Sequence, residues 1–495
     1  MTNTDNRFNL IDEPWIPIAA SKKVGLRDVF NSSLLRALGG NPVQKMAVLK
    51  LLQAIAQAAY TPKDDADWKD IGADGLAKHC LAYLAKWHDS FYLYGEKPFL
   101  QMPTVATASL QPYSAVVPDI ATGNSTVLTQ SQIVRTLDDA EKAVLLVQLM
   151  GFALGGKKTD NSVVLTSGYA GKFNEKGKPS TGRAGPSVAH MGLLHCALLG
   201  ASLQETIWLN IFTQQNIADK TIFTHGKGVA PWEKMPDGEA CAVANVLQQS
   251  LMGRLIPLSR FILLAEKGLH YSEGIRYSDY RDGMQDPSVA VDTSAKKTRA
   301  LWVNPDKRPW RELTGLMAFL TQQKSQGFEC WQLYACVPRL SGAVEAFAVW
   351  CGGLRVSSNA GEQYVSGTDD MVESQIWLET AVLNQTWFLT LQQEMDALDI
   401  QAKKLYACVM AYFKKQNTAG ESIAGQATAL FWQQCEQEFQ TLIAHCGSSL
   451  EDSQLRQQWR KQCTTMMNNV YNRMCTNGTA RQMESWAACR PRQKL

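Results

Sequence analysis

CGGLRVSSNAGEQYVSG, Cys351 to Gly367, decides how the chain divides. Through its last glycine the sequence holds 31 of the 35 glycines and 17 of the 18 prolines; the 128 residues beyond contain only Gly420, Gly425, Gly447, Gly478 and Pro491. Turn-forming residues are thus concentrated on one side, so the segment marks a domain junction. Between its glycines, short apolar and polar residues alternate: Leu354 and Val356, then Ser357, Ser358 and Asn359, then Tyr364 and Val365. That pattern suits a small β-hairpin with a polar tip, Ser357 to Ala360. The tip is either an ordinary turn or a set of small hydrogen-bonding groups able to enter a groove or wedge between base pairs.

Working outward, the C-terminal side is helical in pattern. Ile376, Leu383, Trp387, Leu391, Leu398, Leu405, Val409 and Tyr412 recur in steps of three, four or seven. Similar stripes run through Leu430 to Ile443 and Leu455 to Met474, with breaks near Asn417 to Gly420 and Gly447 to Ser449. Asp396 to Asp399 is a candidate interruption of the first helix. The N-terminal side is mixed. Phe8 to Ile18, FNLIDEPWIPI, reads as a strand, a proline turn and a second extended piece inside a sheet; Pro42 to Tyr60 and Leu76 to Trp87 read as helices; Asp139 to Leu154 is apolar nearly all round and reads as a buried helix. Leu193 to Leu199 is strand-like, Ser202 and Glu205 have capping-box spacing, Ile256 to Trp310 is short-stranded, and Pro309 fits the first position of a helix through Leu316 and Phe319. The expected fold is α+β: a large mixed α/β body over residues 1–367 and an all-α C-terminal four-helix bundle over residues 368–495.

Net charge is only +3, so any nucleic-acid surface must come from local clustering. Such clustering exists between Gly155 and Gly185, where seven glycines accompany Lys157, Lys158, Lys172, Lys176, Lys178 and Arg183 against two acids. Glycines let a backbone approach phosphates closely while the cations neutralise them; a solvated linker is the other reading of the same composition. Thr122 to Gln132 is polar and aperiodic, a surface loop. Twelve cysteines lack any C-x-x-C pairing, which points to a reducing cytosol, and no apolar run reaches the roughly 18 residues a membrane span needs. No histidine pair has zinc spacing, no nucleophile elbow occurs, and no cofactor is expected. GFALGGKK, Gly151 to Lys158, is a near-miss for a phosphate loop. Lys158 stands where a hydroxyl is required, and the segment ends an expected helix instead of opening one. A nucleotide-dependent enzyme using these residues, or a purely structural scaffold, are the alternatives left open.

FNLIDEPWIPI, GLRDVF at Gly25 to Phe30, KPFLQ at Lys97 to Gln101 and FWQQCEQEF at Phe431 to Phe439, taken in order, resemble the large subunit of the type I-E CRISPR surveillance complex, the CasA family of Cascade. The resemblance implies a noncatalytic, cytoplasmic subunit that reads a protospacer-adjacent motif in double-stranded target DNA, opens the duplex beside it and recruits a helicase-nuclease. Its implied partners are the crRNA and the other Cascade subunits: backbone, 5′-handle-capping and small subunits. Residue by residue, the family's glycine-rich DNA loop is similar to Lys172 to Gly185, with Gly177, Lys178, Gly182, Arg183 and Gly185 as contact candidates. Its groove-entering lysine is similar in position to Lys267. Its hairpin wedge looks like Gly352 to Gly361, with Ser357, Ser358, Asn359 and Ala360 at the tip, where the family's glutamine has no direct counterpart and Asn359 is the nearest amide. Its guide-RNA loop resembles Asn124 to Gln130, with Asn124, Thr126, Val127 and Leu128 as contacts. The zinc-binding cysteine pairs of some members have no counterpart near Lys267, so no metal is expected.

Overall fold

Pro42 opens a helix that almost nothing in its sequence leaves for water. The computed structural model describes residues 7–20, 22–117, 135–153, 159–169, 176, 192–292, 294, 296–321, 328–355 and 371–491. They form two compact units, Met1–Pro309 with Gly327–Gln375, and Trp310–Gln326 with Ile376–Leu495.

In the first unit, α1 (Leu26–Asn31) precedes α2 (Pro42–Ala59), which starts at an Asn41 side chain accepting from the Gln44 N–H and a proline at its first turn. Fourteen residues of α2 are buried, and it packs against α3 (Asp65–Lys86), α4 (Asp139–Gly151), α5 (Leu203–Asn210), α8 (Met252–Leu255) and a strand of the second sheet described below. Its buried polar side chains tie in distant chain. Gln53 donates to the Asn210 carbonyl (2.6 Å), Gln57 to the Phe212 carbonyl (3.2 Å), and the Lys50 ammonium meets the Asp286 carboxylate at 2.7 Å with both side chains at most 2% exposed. Short helices α6 (Gln214–Ala218) and α7 (Ala242–Gln248) lie between α5 and α8. Ser202 caps α5 by accepting from the Glu205 N–H, as the capping-box spacing leads one to expect.

Nine strands make three three-stranded sheets among the described residues. β1 (Leu110–Pro112), β4 (Gly268–Glu273) and β3 (Arg260–Leu264) form the first, in that order and antiparallel. β2 (His195–Leu199), β8 (Ala346–Leu354) and β9 (Met371–Glu379) form the second. β5 (Val291–Asp292), β6 (Arg299–Ala300) and β7 (Phe328–Glu329) form a small third sheet. β8 is buried along its length after Ala346, as a central strand must be, whereas β9 alternates buried Val372, Ser374, Ile376 and Leu378 with more exposed neighbours, as a last strand does. α+β is therefore the observed class.

The helices of the second unit are α9 (Leu313–Leu316), α11 (Gln385–Lys415), α12 (Glu421–Ala444), α13 (Leu450–Met474) and α14 (Ala480–Cys489); α10 (Trp331–Cys336) belongs to the first unit. Leu391, Leu398, Leu405, Val409 and Tyr412 line the buried stripe of α11, and Phe431, Cys435, Phe439 and Leu442 that of α12. The carboxylate of Glu394, itself buried, receives Arg460 of α13 through Nε at 2.8 Å and through Nη2, with Arg456 Nε at 3.8 Å. At Trp377 the Gln440 side chain both accepts from the backbone N–H (3.1 Å) and donates to the backbone carbonyl (2.8 Å).

Four expectations are corrected. Phe8 to Ile18 makes isolated bridges (Asn9 with Tyr92, Ile16 with Val24, Ile18 with Leu38) and no strand, because Pro14 and Pro17 have no N–H to give a ladder. Ile376 lies in β9, so the first long helix starts only at Gln385. That helix runs unbroken through Asp396 to Asp399, where the Arg311 guanidinium sits 3.6 Å from Asp399. Pro309 opens a 3-10 turn, Pro309–Glu312, instead of a long helix, and Trp310 packs its ring on Phe439 at 4.5 Å, which groups Trp310–Gln326 with the C-terminal helices.

Candidate nucleic-acid interface

β3 and β4 are joined through Ala265, Glu266, Lys267 and Gly268. The Ala265 N–H donates to the Gly268 carbonyl (2.8 Å), which closes the turn and puts the exposed Lys267 at its centre. A glycine is required at 268 because β1 crosses closely: a Cβ there would stand 2.2 Å from the Gln111 carbonyl oxygen. The turn is held from beneath as well. The buried Tyr113 hydroxyl donates to the Ala265 carbonyl (2.6 Å), Gln101 Oε1 accepts from the Leu264 N–H (2.9 Å), and His270 Nδ1 lies 2.7 Å from the Ala108 carbonyl. A flexible four-carbon cation is thus mounted on a fixed base, so its charge can meet an anion without ordering the backbone at the moment of binding.

The same strand, β4, holds the chain that leads into the glycine-rich stretch. The Asp160 N–H donates to the Tyr271 carbonyl (2.8 Å), and the Ser272 hydroxyl donates to the Val163 carbonyl (3.2 Å). The Asp160 carboxylate receives the N–H and hydroxyl of Ser109, just before β1, at 2.9 and 2.8 Å, and those of Ser162 at 3.0 and 2.5 Å. Partial burial pushes this carboxyl up, but the hydrogen bonds from Ser162 and Ser109 outweigh it and hold the pKa down at about 2. Further along the chain, the backbone N–H groups of Leu165 and Thr166 donate to the fully buried Glu239, the latter at 2.8 Å, and the Ala240 N–H donates back to the Thr166 hydroxyl (3.0 Å). Residues 160–163 are therefore laced to the sheet that carries Lys267, and residues 165–166 to Glu239.

Of the sequence-derived site residues, Lys267 is described and lies exposed at a turn. Gly177, Lys178, Gly182, Arg183 and Gly185 lie outside the described residues, and of Lys172 to Gly185 only Lys176 is within them. Asn124, Thr126, Val127 and Leu128 also lie outside, as do Ser357, Ser358, Asn359 and Ala360. Their described flanks are nevertheless informative. Tyr113 to Val117 leaves β1 shortly before the first of these segments, and β8 and β9, neighbours in one sheet, bracket the last. Tyr113, Asp160 and Glu239 were not singled out from sequence; only Asp160-x-Ser162 carries a local signal, the spacing of an Asx turn. Gly151 is the last residue of α4, so the near-miss phosphate loop begins at a helix C-terminus, whose carbonyls repel an anion. Among the described residues no three His, Cys, Asp or Glu side chains are grouped to hold a metal, and no helix is long and apolar enough to cross a membrane. All twelve cysteines are free thiols.

The family profile described as CRISPR-associated protein Cse1 matches residues 9–469. The chain belongs to that family. The CasA/Cse1 protein of Thermus thermophilus is 27% identical over 339 residues, which is 63% of this chain and 60% of that relative's length. Thermobifida fusca Cse1 has the same fold, with a TM-score of 0.78 at 18% identity over 97% of both chains. Cse1 from Acidimicrobium ferrooxidans gives 0.71 at 18% identity over 97% of this chain and 96% of its own. A chain of a CRISPR RNA-guided surveillance complex gives 0.71 at 16% identity, with 98% of each chain covered.

Proposed function

We propose that this Cse1-family chain is the motif-reading large subunit of an RNA-guided CRISPR surveillance complex. In this reading it is noncatalytic. It recognises a protospacer-adjacent motif in duplex DNA, opens the neighbouring base pairs, and presents the opened target for a helicase-nuclease to destroy. The crRNA and the other complex subunits hold it in place. The observation that carries the proposal is Lys267, an exposed cation at the centre of a tight turn on a braced sheet whose strand β4 also holds residues 160–163, the approach to the glycine- and lysine-rich stretch. Phosphate neutralisation by such a stretch supplies sequence-independent affinity, a groove contact supplies discrimination, and base pairing with the guide reads the rest of the target. Unstacking one base-pair step costs on the order of a few kcal/mol, which phosphate contacts and a hairpin wedge offset until the heteroduplex takes over.

The test uses the assembled complex. A duplex library randomised beside the guide-matched sequence identifies the preferred motif. Lys267→Ala is then expected to weaken binding to that motif duplex about tenfold or more, within the 1–3 kcal/mol range of a groove contact, while binding to the same target opened by a mismatched bubble stays within about twofold. Equal losses on both substrates would remove Lys267 as a groove reader.

A further inference from the structure

Tyr113 is fully buried, and a phenylalanine would fill the same space. What the phenylalanine lacks is the hydroxyl, which donates to the Ala265 carbonyl at the first position of the turn bearing Lys267 (2.6 Å). The other side of the ring faces a charge cluster. Lys142 Nζ lies 6.0 Å from the Tyr113 ring centre and 5.8 Å from that of Tyr94; Tyr94 donates its hydroxyl to Asp139 (2.6 Å), and Lys142 pairs with Asp139 at 3.6 Å. Lys142 and Asp139 belong to the first turn of α4, whose N-terminus Asp138 fixes by accepting from the Glu141 N–H.

We propose that Tyr113 is a positioning residue for Lys267, locking the turn through Ala265 and tying it, through Lys142 and Asp139, to the start of α4. This rests on the reading of Lys267 given above. Burial, followed by the Asp139 charge, pushes the Tyr113 phenol up from its ordinary range, so the hydroxyl keeps its proton and remains a donor. Tyr113 and Lys142 also stand on either side of residues 118–134, the interval where the guide-RNA contact is expected. One ring therefore joins both flanks of that interval to the DNA-reading turn, and an unlocked turn would lose the preset direction of its lysine before any contact to DNA is lost.

The test is a double-mutant cycle on the assembled complex with Tyr113→Phe, Lys267→Ala and the pair, using the library-selected duplex and its bubble form. Loss of one hydrogen bond in the base of the turn is expected to weaken duplex binding about three- to tenfold. Bubble binding should stay within about twofold, and the double variant should bind no worse than Lys267→Ala alone. Additive losses, or equal losses on both substrates, overturn the proposal. If Lys267→Ala has no duplex-specific effect, the functional reading fails on its own account. The positioning claim is then read separately from hydrogen exchange at the Ala265 amide, which should speed up by a comparable factor in Tyr113→Phe; unchanged exchange rejects it.

Discussion

Lys50→Met is the most informative perturbation of the body. The Lys50 ammonium is one of three donors on Asp286 Oδ1, beside the Ser288 N–H (2.9 Å) and hydroxyl (2.8 Å), and it also donates to the Arg254 carbonyl (3.3 Å). Asp286 Oδ2 is buried with no hydrogen-bond partner among the described residues, so the carboxylate has no second anchor there to fall back on. Breaking a buried pair from one side typically costs about 3–5 kcal/mol. Arg254, whose guanidinium burial pushes down from its ordinary range while the nearby Tyr277, Tyr280 and Asp286 partly oppose that shift, remains nearby and retains some compensation. The expected loss is therefore at the low end, about 3 kcal/mol, or about 6 °C in Tm at about 2 °C per kcal/mol for a large unit. Because the Ser288 hydroxyl lies 3.0 Å from His195 Nδ1 at the start of β2, hydrogen exchange should localise the loss to β2 and its partner β8. Lys50→Met with Asp286→Asn keeps an acceptor for Ser288 but removes the stranded charge, and should recover more than half of the deficit. A shift under about 2 °C for the single variant, or a double variant no better than the single, would refute the reasoning.

Two further outcomes follow from carboxylates. Asp160 is ionised in the folded state with its pKa depressed to about 2, so its contribution to stability is present above the ordinary carboxylate range of about 4 and lost as pH falls toward 2. Asp160→Asn should flatten that limb of a Tm-against-pH curve, most visibly in exchange of the Ser162 amide; an unchanged acid limb would show that the Ser109 and Ser162 bonds do not discriminate charge. In the helical unit, Glu394→Gln leaves Arg456 and Arg460 without their carboxylate, but the Arg460 side chain is 51% exposed and screened, so about 1–3 kcal/mol is expected by denaturant titration. A neutral result would mean that solvent around Arg460, and the His445 and Gly447 carbonyls that accept from Arg456, already satisfy the two guanidiniums.

Much of the architecture was legible because local rules and tertiary packing agree. Asn41 and Pro42 mark the start of α2, Ser202 and Glu205 that of α5, and the glycines near 420 and 447 separate the long helices. Where they disagree, sequence misleads. The seven-residue step from Ile376 to Leu383 mimics a helical stripe, although Val372, Ser374, Ile376 and Leu378 keep the period of two that β9 uses. The prolines of Phe8 to Ile18 leave its apolar residues buried but deny it a ladder. At the candidate interface, Lys267 could be seen as a turn residue from the glycine beside it. Tyr113 and Glu239 could not, since their contacts join residues 152 and 74 positions apart through backbone atoms that have no sequence signature.

The Gln440 side chain has a consequence beyond packing. β9 stands last in its sheet order, and a last strand presents unpaired N–H and C=O groups on which another polypeptide can assemble. At Trp377 a single glutamine supplies both the acceptor and the donor that an incoming strand would bring. The sheet is closed at that point by a side chain of a helix, so a newly folded chain has a shorter run of backbone on which a second copy could polymerise.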